Sequence, residues 1–241
     1  MSEVKPYGQE DKSKKSEVKE MFDNISPKYD FLNHFLSVGI DKLWRKKAVK
    51  QLKEIQPKAI LDIASGTGDF ALELLSLKPT KIVGADISEG MLEVGRQKMK
   101  KKGVDHIITM EVGDSENLKY EDNAFDALTV GFGVRNFQDL EKGLSEMLRV
   151  VRAGGKIVIL EFSKPKKFPV KQYYAFHSKY VIPFFGRMIS KDSSAYTYLP
   201  ESIQAFPEGQ NFVGIMRKLG YKDVYMLLCS GGIATIYVGT K

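Results

Sequence analysis

The chain of 241 residues has very few of the residues that build disulfide frameworks and metal centres. It contains one cysteine, Cys229, and three scattered histidines, His34, His106 and His177. A single cysteine excludes a disulfide framework and is typical of a reducing compartment. Because the histidines are far apart in the sequence, they form no cluster with the spacing of metal ligands, and no metal site is predicted.

Long apolar runs are also missing. No stretch approaches the roughly 20 consecutive apolar residues that span a bilayer. The first 19 residues are charged and polar, which is the pattern of neither a secretory signal nor a transit peptide. We therefore expect a cytoplasmic protein, at most peripheral to a membrane. The net charge of +7 leaves an anionic partner open, either RNA or a membrane surface.

Length and composition predict one domain with additions. A chain of 241 residues with 43% hydrophobic and 28% charged residues can bury one large core. Residues 1–15 are predicted to be a disordered tail and 16–241 a single domain. That domain is expected to begin with helices over 16–56 and to carry an aromatic-rich insertion at 164–208.

From residue 59 onwards, apolar runs typical of strands alternate with amphipathic segments typical of helices. The predicted strands are 59–63, 81–86, 107–112, 125–130 and 156–162, and the predicted helices are 68–77, 89–102 and 138–151. Four lysines within 98–102 are expected to end a solvated helix. Short strands separated by helices imply right-handed βαβ units and a parallel sheet.

The chain ends in a different pattern. A helix over 209–219 precedes two strands, 222–229 and 233–239, which are joined by Ser230-Gly231-Gly232. The short glycine turn predicts an antiparallel hairpin. Together these elements predict a Rossmann-like α/β fold, with a mostly parallel seven-stranded sheet ending in a hairpin. This is the sheet of the class I S-adenosylmethionine-dependent methyltransferases.

The segment 60–71 carries the strongest functional signal in the chain. Its Gly66-x-Gly68-x-x-Ala71 satisfies the G-x-G-x-x-G/A pattern, in which a turn and a helix N-terminus hold a pyrophosphate. However, Asp62 and Asp69 flank this turn and would repel a pyrophosphate. The two carboxylates favour a ligand that carries an ammonium group instead.

A further acidic residue narrows the ligand class. Asp86 ends the next apolar run, twenty residues after Gly66, where an acidic side chain reaches a ribose diol. A nucleoside with an amino-acid tail and no phosphate fits all these carboxylates, which predicts S-adenosylmethionine. The alternatives are a plain strand-to-helix turn and a nicotinamide dinucleotide.

Residues 164–208 hold far more sequence than a minimal crossover needs. The insertion is rich in aromatic and aliphatic residues with lysines beside them: Tyr173, Tyr174, Phe176, Tyr180, Val181, Ile182, Phe184, Phe185, Met188, Lys164, Lys166, Lys167 and Lys171. One interpretation is an ordinary helix that packs on the core. The other is a lid over an apolar substrate, with basic flanks that suit an anionic bilayer surface.

Four further segments are more specific than the glycine turn. They are Tyr29-Asp30-Phe31-Leu32-Asn33-His34-Phe35-Leu36-Ser37 continuing to Trp44-Arg45, then Phe132-Gly133-Val134-Arg135-Asn136, then Arg149-Val150-Val151-Arg152-Ala153-Gly154-Gly155-Lys156 running into Leu160-Glu161-Phe162-Ser163, and Tyr198-Leu199-Pro200-Glu201-Ser202-Ile203. On these segments the chain resembles the ubiquinone/menaquinone biosynthesis C-methyltransferases, nearly throughout Val18 to Val238. It departs from the family pattern at Asp41, where His is usual, and at Arg152 and Ala153, where Lys and Pro are usual.

The resemblance implies methyl transfer from S-adenosylmethionine to a ring carbon of a polyprenylated quinol, in menaquinone biosynthesis. The expected substrate is demethylmenaquinol, which becomes menaquinol. A benzoquinol of the ubiquinone pathway, or use in both pathways, stays open. Three rivals are an RNA methyltransferase, a nicotinamide-dependent oxidoreductase and a catalytically silent binding module. The sequence shows none of the features expected of an RNA methyltransferase, namely an Asn-Pro-Pro-Tyr-type motif, paired catalytic cysteines and an appended RNA-binding domain, so no nucleic-acid partner is expected.

The resemblance also assigns residues to the cofactor. Asp62 and the backbone of Gly66 to Gly68 would hold the methionine end, with Thr67 in the turn beside it. Asp86 would take the ribose hydroxyls. Asp114 and Ser115, just after the third strand, would meet the adenine amino group. Gly131, at the end of the fourth strand, is also assigned to the cofactor. For Asp114 the alternative is a simple turn residue.

Three residues are assigned to catalysis. Arg135 and Asn136 follow the fourth strand, at the edge where ligands bind in open α/β sheets. Arg135 would stabilise the developing quinol oxyanion, and Asn136 would orient that oxygen or a water. The alternative for Arg135 is a structural pair with a carboxylate. Tyr29, together with Tyr196 or Tyr198, would close the pocket.

The expected substrate has a polyprenyl tail that cannot lie in water. We therefore expect the insertion, together with the segment Phe31 to Leu36, to face a groove that opens toward the membrane. Whether the enzyme forms a homodimer stays open.

Overall fold

The computed structural model describes residues 4–30, 39–176 and 194–241. The segment Phe31 to Leu36 and the central part of the aromatic insertion lie outside the described residues, as does the side chain of Tyr196. The described residues therefore include only part of the predicted groove.

Seven strands form one sheet, which confirms the predicted fold class. The strands are β1 (Ala59–Ile63), β2 (Lys81–Asp86), β3 (Ile108–Val112), β4 (Phe125–Gly131), β5 (Val151–Phe162), β6 (Lys222–Cys229) and β7 (Ala234–Thr240). Their order is β3-β2-β1-β4-β5-β7-β6. The first five are parallel, whereas β7 runs antiparallel to both β5 and β6.

The helices of the described residues lie before, between and after these strands. They are α1 (Lys14–Ile25), α2 (Ile40–Lys50), α3 (Asp69–Leu74), α4 (Glu89–Lys101), α5 (Leu140–Val150), α6 (Val170–Phe176), α7 (Ser194–Ala205) and α8 (Gln210–Lys218). Local caps explain several boundaries. Ser88 accepts the backbone N–H of Met91 at the start of α4, and Asp139 accepts that of Lys142 at the start of α5.

The largest boundary difference from the prediction is at β5, which begins at Val151 rather than at residue 156. Val151 pairs with Phe125 of β4, and the register then shifts before Lys156 pairs with Ala127. Gly154 and Gly155 lie inside this long irregular strand, with Gly154 at φ +75°.

The sheet buries an apolar layer on each face. Alternating β1 residues divide between them: Leu61 and Ile63 pack with α5 and α8, whereas Ile60 packs with α2, α3 and α4. Asp62 shares the second face and is fully buried there. This face of the core therefore encloses a carboxyl group, shortly before the glycine turn in the chain.

A smaller cluster covers the carboxyl edge of the sheet. Here α1 packs its apolar side against Tyr198 of α7. Before α1, the backbone N–H groups of Tyr7, Gly8 and Gln9 donate to the buried carboxylate of Glu17, at 2.5, 3.0 and 2.7 Å. The prediction of a disordered tail did not anticipate these contacts, and the division into 1–15 and 16–241 stays a prediction.

Candidate active site

A cleft opens where the parallel strands end. β1 lies between β2 and β4 in the sheet, so the chain leaves β1 toward one side and later returns on the other. Ligands bind at such switch points in open α/β sheets. The cleft encloses about 610 Å³ including its open mouth, and α1 forms one wall through Lys15, Val18 and Phe22.

The glycine turn forms the floor of the cleft. Gly66 lies at φ +55° and faces the ring of Tyr29, since a Cβ there would be 3.8 Å from Tyr29 Cε1. Gly68 lies at φ +83°, and a Cβ there would overlap the Met99 side chain. Positive φ favours glycine at both positions, and a Cβ at Gly68 would also displace the Met99 methyl group. The turn leads directly into α3.

Asp86 lines the cleft at the end of β2 and is held in place by backbone groups. Its Oδ2 accepts the N–H of Gly66 at 2.8 Å, and its Oδ1 accepts the N–H of Ser88 at 2.9 Å. Burial raises the pKa of this carboxyl, and the two N–H donors oppose that shift. The side chain is therefore fixed toward the turn, with lone pairs left for hydroxyl donors.

Asp114 lines the cleft after β3, as does Ser115. Lys15 of α1 contacts Asp114 Oδ2 at 2.8 Å and Glu116 Oε2 at 2.8 Å. Glu116 is buried and also accepts the N–H of Gln138 at 2.8 Å. The N-terminal helix is thereby fastened to the acidic side of the cleft, a contact that the sequence did not indicate.

Asp62 lies beneath the turn and is not among the residues that line the cleft. Its Oδ1 accepts a hydrogen bond from Thr129 Oγ1 at 2.6 Å, and its Oδ2 has no partner among the described residues. Burial raises the pKa of Asp62 to about 7. Its predicted contact with the methionine end of the cofactor stays a prediction.

Thr67 belongs to a charged cluster centred on Lys98. The Lys98 ammonium contacts Asp30 Oδ2 at 2.6 Å, Asp69 Oδ1 at 2.8 Å and Thr67 Oγ1 at 3.0 Å. Thr67 Oγ1 also donates to Asp30 Oδ1 at 2.5 Å. The sequence predicted that Lys98 belongs to the solvated end of a helix. In the structure it instead links Thr67 of the glycine turn to Asp30.

Asp41, one of the three departures from the family pattern, extends this cluster. Arg45 Nη1 donates to Asp41 Oδ2 at 2.5 Å, and both side chains are buried. Arg45 Nη2 lies 3.7 Å from Asp69 Oδ2. A carboxylate at position 41 therefore pairs with a neighbouring cation and supports the start of α3.

Arg135 is held in a buried ion pair, the alternative considered from its sequence context. Its Nη1 lies 3.0 Å from Glu161 Oε1 and donates to the backbone oxygen of Phe132. Its guanidinium also lies over the ring of Phe162, at 5.5 Å. Arg135 is not among the cleft-lining residues. Its contact with a quinol oxygen stays a prediction.

Asn136 does line the cleft, together with Tyr29 and Gly131. Asn136 lies in a 3₁₀ turn after β4, and its Oδ1 is buried with no hydrogen-bond partner among the described residues. An unsatisfied amide oxygen of this kind is costly unless a ligand or solvent donor meets it. Tyr198 is buried against α1 and does not line the cleft.

Aromatic rings continue from the cleft toward α2. Phe132 lines the cleft, stacks on Phe162 with 4.3 Å between ring centroids, and lies 6.2 Å from Trp44. The three rings form a continuous apolar wall beside Asn136. Within the described residues, no group of three His, Cys, Asp or Glu side chains is arranged to hold a metal ion.

Comparison with known proteins gives a consistent result. The model of the ubiE/COQ5 methyltransferase family matches residues 9–241. A demethylmenaquinone methyltransferase of Bacteroides fragilis is 50% identical, over 99% of this chain and 97% of its own. The ubiquinone/menaquinone biosynthesis C-methyltransferase UbiE of a Geobacter species is 47% identical, over 93% of this chain and 96% of its own.

The fold has solved counterparts as well. A SAM-dependent methyltransferase of Thermotoga maritima superposes with a TM-score of 0.65 at 20% identity, over 93% of this chain and 99% of its own. At that identity the likeness extends to the fold alone.

Proposed function

The chain belongs to the ubiE/COQ5 methyltransferase family, and from that membership we propose that it methylates a ring carbon of a polyprenylated quinol, using S-adenosylmethionine. We propose demethylmenaquinol as the substrate, because relatives that carry that activity in their names match over nearly their whole length. Other relatives are named for both quinone pathways, which favours a benzoquinol as the second candidate.

The observation that carries the cofactor proposal is the arrangement of carboxylates around the glycine turn. Asp86 is fixed at the end of β2 and Asp114 lies after β3, both in one cleft. We propose that Asp86 accepts the ribose hydroxyls and that Asp114 and Ser115 meet the adenine. Gly66, at the turn, would let the methionine end approach the backbone.

The cofactor would supply a methyl group on a positively charged sulfur, which departs as a neutral thioether. The protein must therefore align the substrate and remove protons, rather than stabilise a charged leaving group. Loss of the quinol hydroxyl proton places charge on the neighbouring ring carbon, which forms the new carbon–carbon bond. Loss of the proton on that carbon then restores the aromatic ring, and the oxygen regains a proton.

Asn136 is the residue best situated to orient the quinol. Asn136 lines the cleft and its buried Oδ1 has no donor among the described residues, so it would accept a hydrogen bond from a quinol hydroxyl or a water. Tyr29, packed over Gly66, would close the other side. The ring would then lie between the glycine turn and Phe132.

Arg135 is proposed to position this loop. It donates to the Phe132 backbone oxygen while Glu161 holds its guanidinium, and Glu161 Oε2 also accepts the Arg135 N–H at 3.3 Å. Because Glu161 offsets its charge, Arg135 would act by holding Phe132 and Asn136 in register. Direct contact with the quinol oxygen would require its release from Glu161.

The described residues contain no helix that is long and apolar enough to cross a membrane. Since the proposed substrate has a polyprenyl tail, the enzyme must receive it from a bilayer or an equivalent apolar phase. The cytoplasmic location with peripheral membrane contact expected from the sequence accords with this proposal and remains part of it.

Two titrations and one assay test the proposal. Calorimetric titration should give binding of S-adenosylmethionine and none of NAD; the reverse would overturn the cofactor assignment. Methyl transfer should then be measured with reduced demethylmenaquinone beside a reduced ubiquinone precursor that lacks the ring methyl group. Label in the naphthoquinol alone supports a menaquinone enzyme, and label in both supports a shared one. No transfer to either quinol would refute the proposed function.

A further inference from the structure

Helix α2 presents lysines and a leucine to solvent on one side. Leu43 is 64% exposed, and Lys42, Lys46 and Lys47 on the same side are exposed as well. The one carboxylate of this helix, Asp41, is buried in its pair with Arg45. The outer surface of α2 is therefore wholly basic around an exposed aliphatic side chain.

The segment that leads into α6 has the same character. Phe168 is 81% exposed and Tyr173 is 58% exposed. Lys166, Lys167 and Lys171 are exposed beside them, and residues 164–174 contain no Asp or Glu. Exposed aromatic side chains among lysines suit a partner that offers both an apolar phase and negative charge.

The turn between β6 and β7 joins these two segments into one surface. Lys47 Nζ donates to the Leu228 backbone oxygen at 2.9 Å, and Leu228 is itself 58% exposed. On the other side of the turn, a Cβ on Gly231 would lie 2.8 Å from Val170 Cγ2. We call this surface, made by the outer side of α2, Leu228 and residues 166–173, the basic apolar face.

The basic apolar face is connected to the cleft by aromatic rings. Trp44 of α2 donates from Nε1 to Ser230 Oγ at 2.9 Å, in the same turn. Its ring lies 6.2 Å from Phe132, which lines the cleft. Because Trp44 is itself buried, these rings connect the basic apolar face with the cleft through the core.

We propose that the basic apolar face docks on an anionic bilayer surface. This inference rests on the proposed function and deepens it. Lysines are attracted by anionic headgroups, while Leu43, Leu228 and Phe168 insert at the acyl boundary. RNA would engage the lysines but leave the exposed aliphatic side chains without a partner, so the bilayer is favoured.

The test is co-sedimentation of the full chain with vesicles. Wild-type protein should bind phosphatidylcholine–phosphatidylglycerol vesicles and leave pure phosphatidylcholine vesicles largely unbound. Charge reversal by Lys46→Glu with Lys167→Glu should weaken that binding at least about tenfold. Reversal by Lys100→Glu with Lys101→Glu, at the exposed end of α4, makes the same change of charge elsewhere and should cost much less. The Leu43→Asn, Leu228→Asn protein should lose part of the vesicle binding that wild type retains at high salt.

Equal losses in both charge-reversed proteins would show a general charge effect and overturn the proposal. Preferential binding of single-stranded RNA over anionic vesicles in competition would also overturn it. Turnover of a short-chain quinol in solution separates this inference from the function. That turnover should be the same in wild type and in the Lys46→Glu, Lys167→Glu protein, whereas its absence in wild type would refute the function instead.

Discussion

The cluster centred on Lys98 yields the sharpest prediction. Replacing Lys98 with Met keeps the length and helix propensity of the side chain but removes the ammonium. The ammonium contacts three oxygens, on Asp30, Asp69 and Thr67, at 2.6 to 3.0 Å. Its side chain is only 18% exposed, so water cannot fully replace it. The two carboxylates would then face each other across Thr67 without their shared cation.

The expected cost follows from these exposures. Losing one partner of a buried ion pair costs about 3–5 kcal/mol. Asp30 and Asp69 are 32% and 23% exposed, so solvent screens part of the charge that remains. Arg45 also stays near Asp69. We therefore expect a loss of about 2–3 kcal/mol in the free energy of unfolding.

Replacing Lys98 with Met is also expected to weaken the binding of S-adenosylmethionine. Lys98 ties Asp30 to the glycine turn, and Tyr29 covers that turn. Lys98→Met should therefore raise the KM for S-adenosylmethionine more than it lowers kcat, and Lys98→Arg should restore much of the loss. Urea unfolding and steady-state kinetics measure both. Lys100→Met, on the exposed side of the same helix, is the matched control and should stay within about 0.5 kcal/mol of wild type. If the two Met variants unfold alike, the cluster has no such role.

Three other predictions concern single side chains. Burial raises the pKa of Asp62 to about 7 from its ordinary 3.8. The folded state therefore holds this proton more tightly than the unfolded state does. The resulting stability, about 4 kcal/mol, is fully present below pH 4 and is lost as the pH rises to 7. Asp62→Asn should flatten this dependence in urea unfolding measured from pH 4 to 8; an unchanged slope would contradict it. Asp86→Asn should weaken S-adenosylmethionine binding by at least about tenfold in calorimetry, because the charged acceptor for two hydroxyls is lost; unaltered affinity would exclude the ribose role. Arg135→Lys should lower kcat by about tenfold or more with little change in cofactor affinity, because an ammonium lacks the flat guanidinium that lies over Phe162 while it bonds Glu161 and the Phe132 oxygen; a collapse of affinity would show that Arg135 holds the cofactor site.

The fold could be predicted because its signals are local. Buried strands alternate with amphipathic helices, and the glycine turn after β1 indicates where the cleft lies. Asp86 was also identifiable, since the end of β2 lies beside the end of β1 in any such sheet. These inferences need only the order of elements and the edge at which parallel strands terminate.

The charge partners in the site could not be predicted in the same way, because they are far apart in the sequence. Arg135 and Glu161 are 26 residues apart, and Lys15 and Asp114 are 99 apart. Lys98 did carry a signal. It follows Met91 by seven positions, on the side of α4 that is buried, so a lysine there needed acidic partners. Which carboxylates these were depended on how the N-terminal segment returns over the turn.

The central claim is that a quinol carbon receives the methyl group in this cleft. The most direct test supplies S-adenosylmethionine with a deuterated methyl group and reduced demethylmenaquinone, then locates the label by NMR and mass spectrometry. The account predicts label on the ring carbon, formed by wild type and strongly reduced in Asn136→Ala, whose cofactor binding should be unchanged. Label on a quinol oxygen, or wild-type turnover in the Asn136→Ala protein, would contradict it.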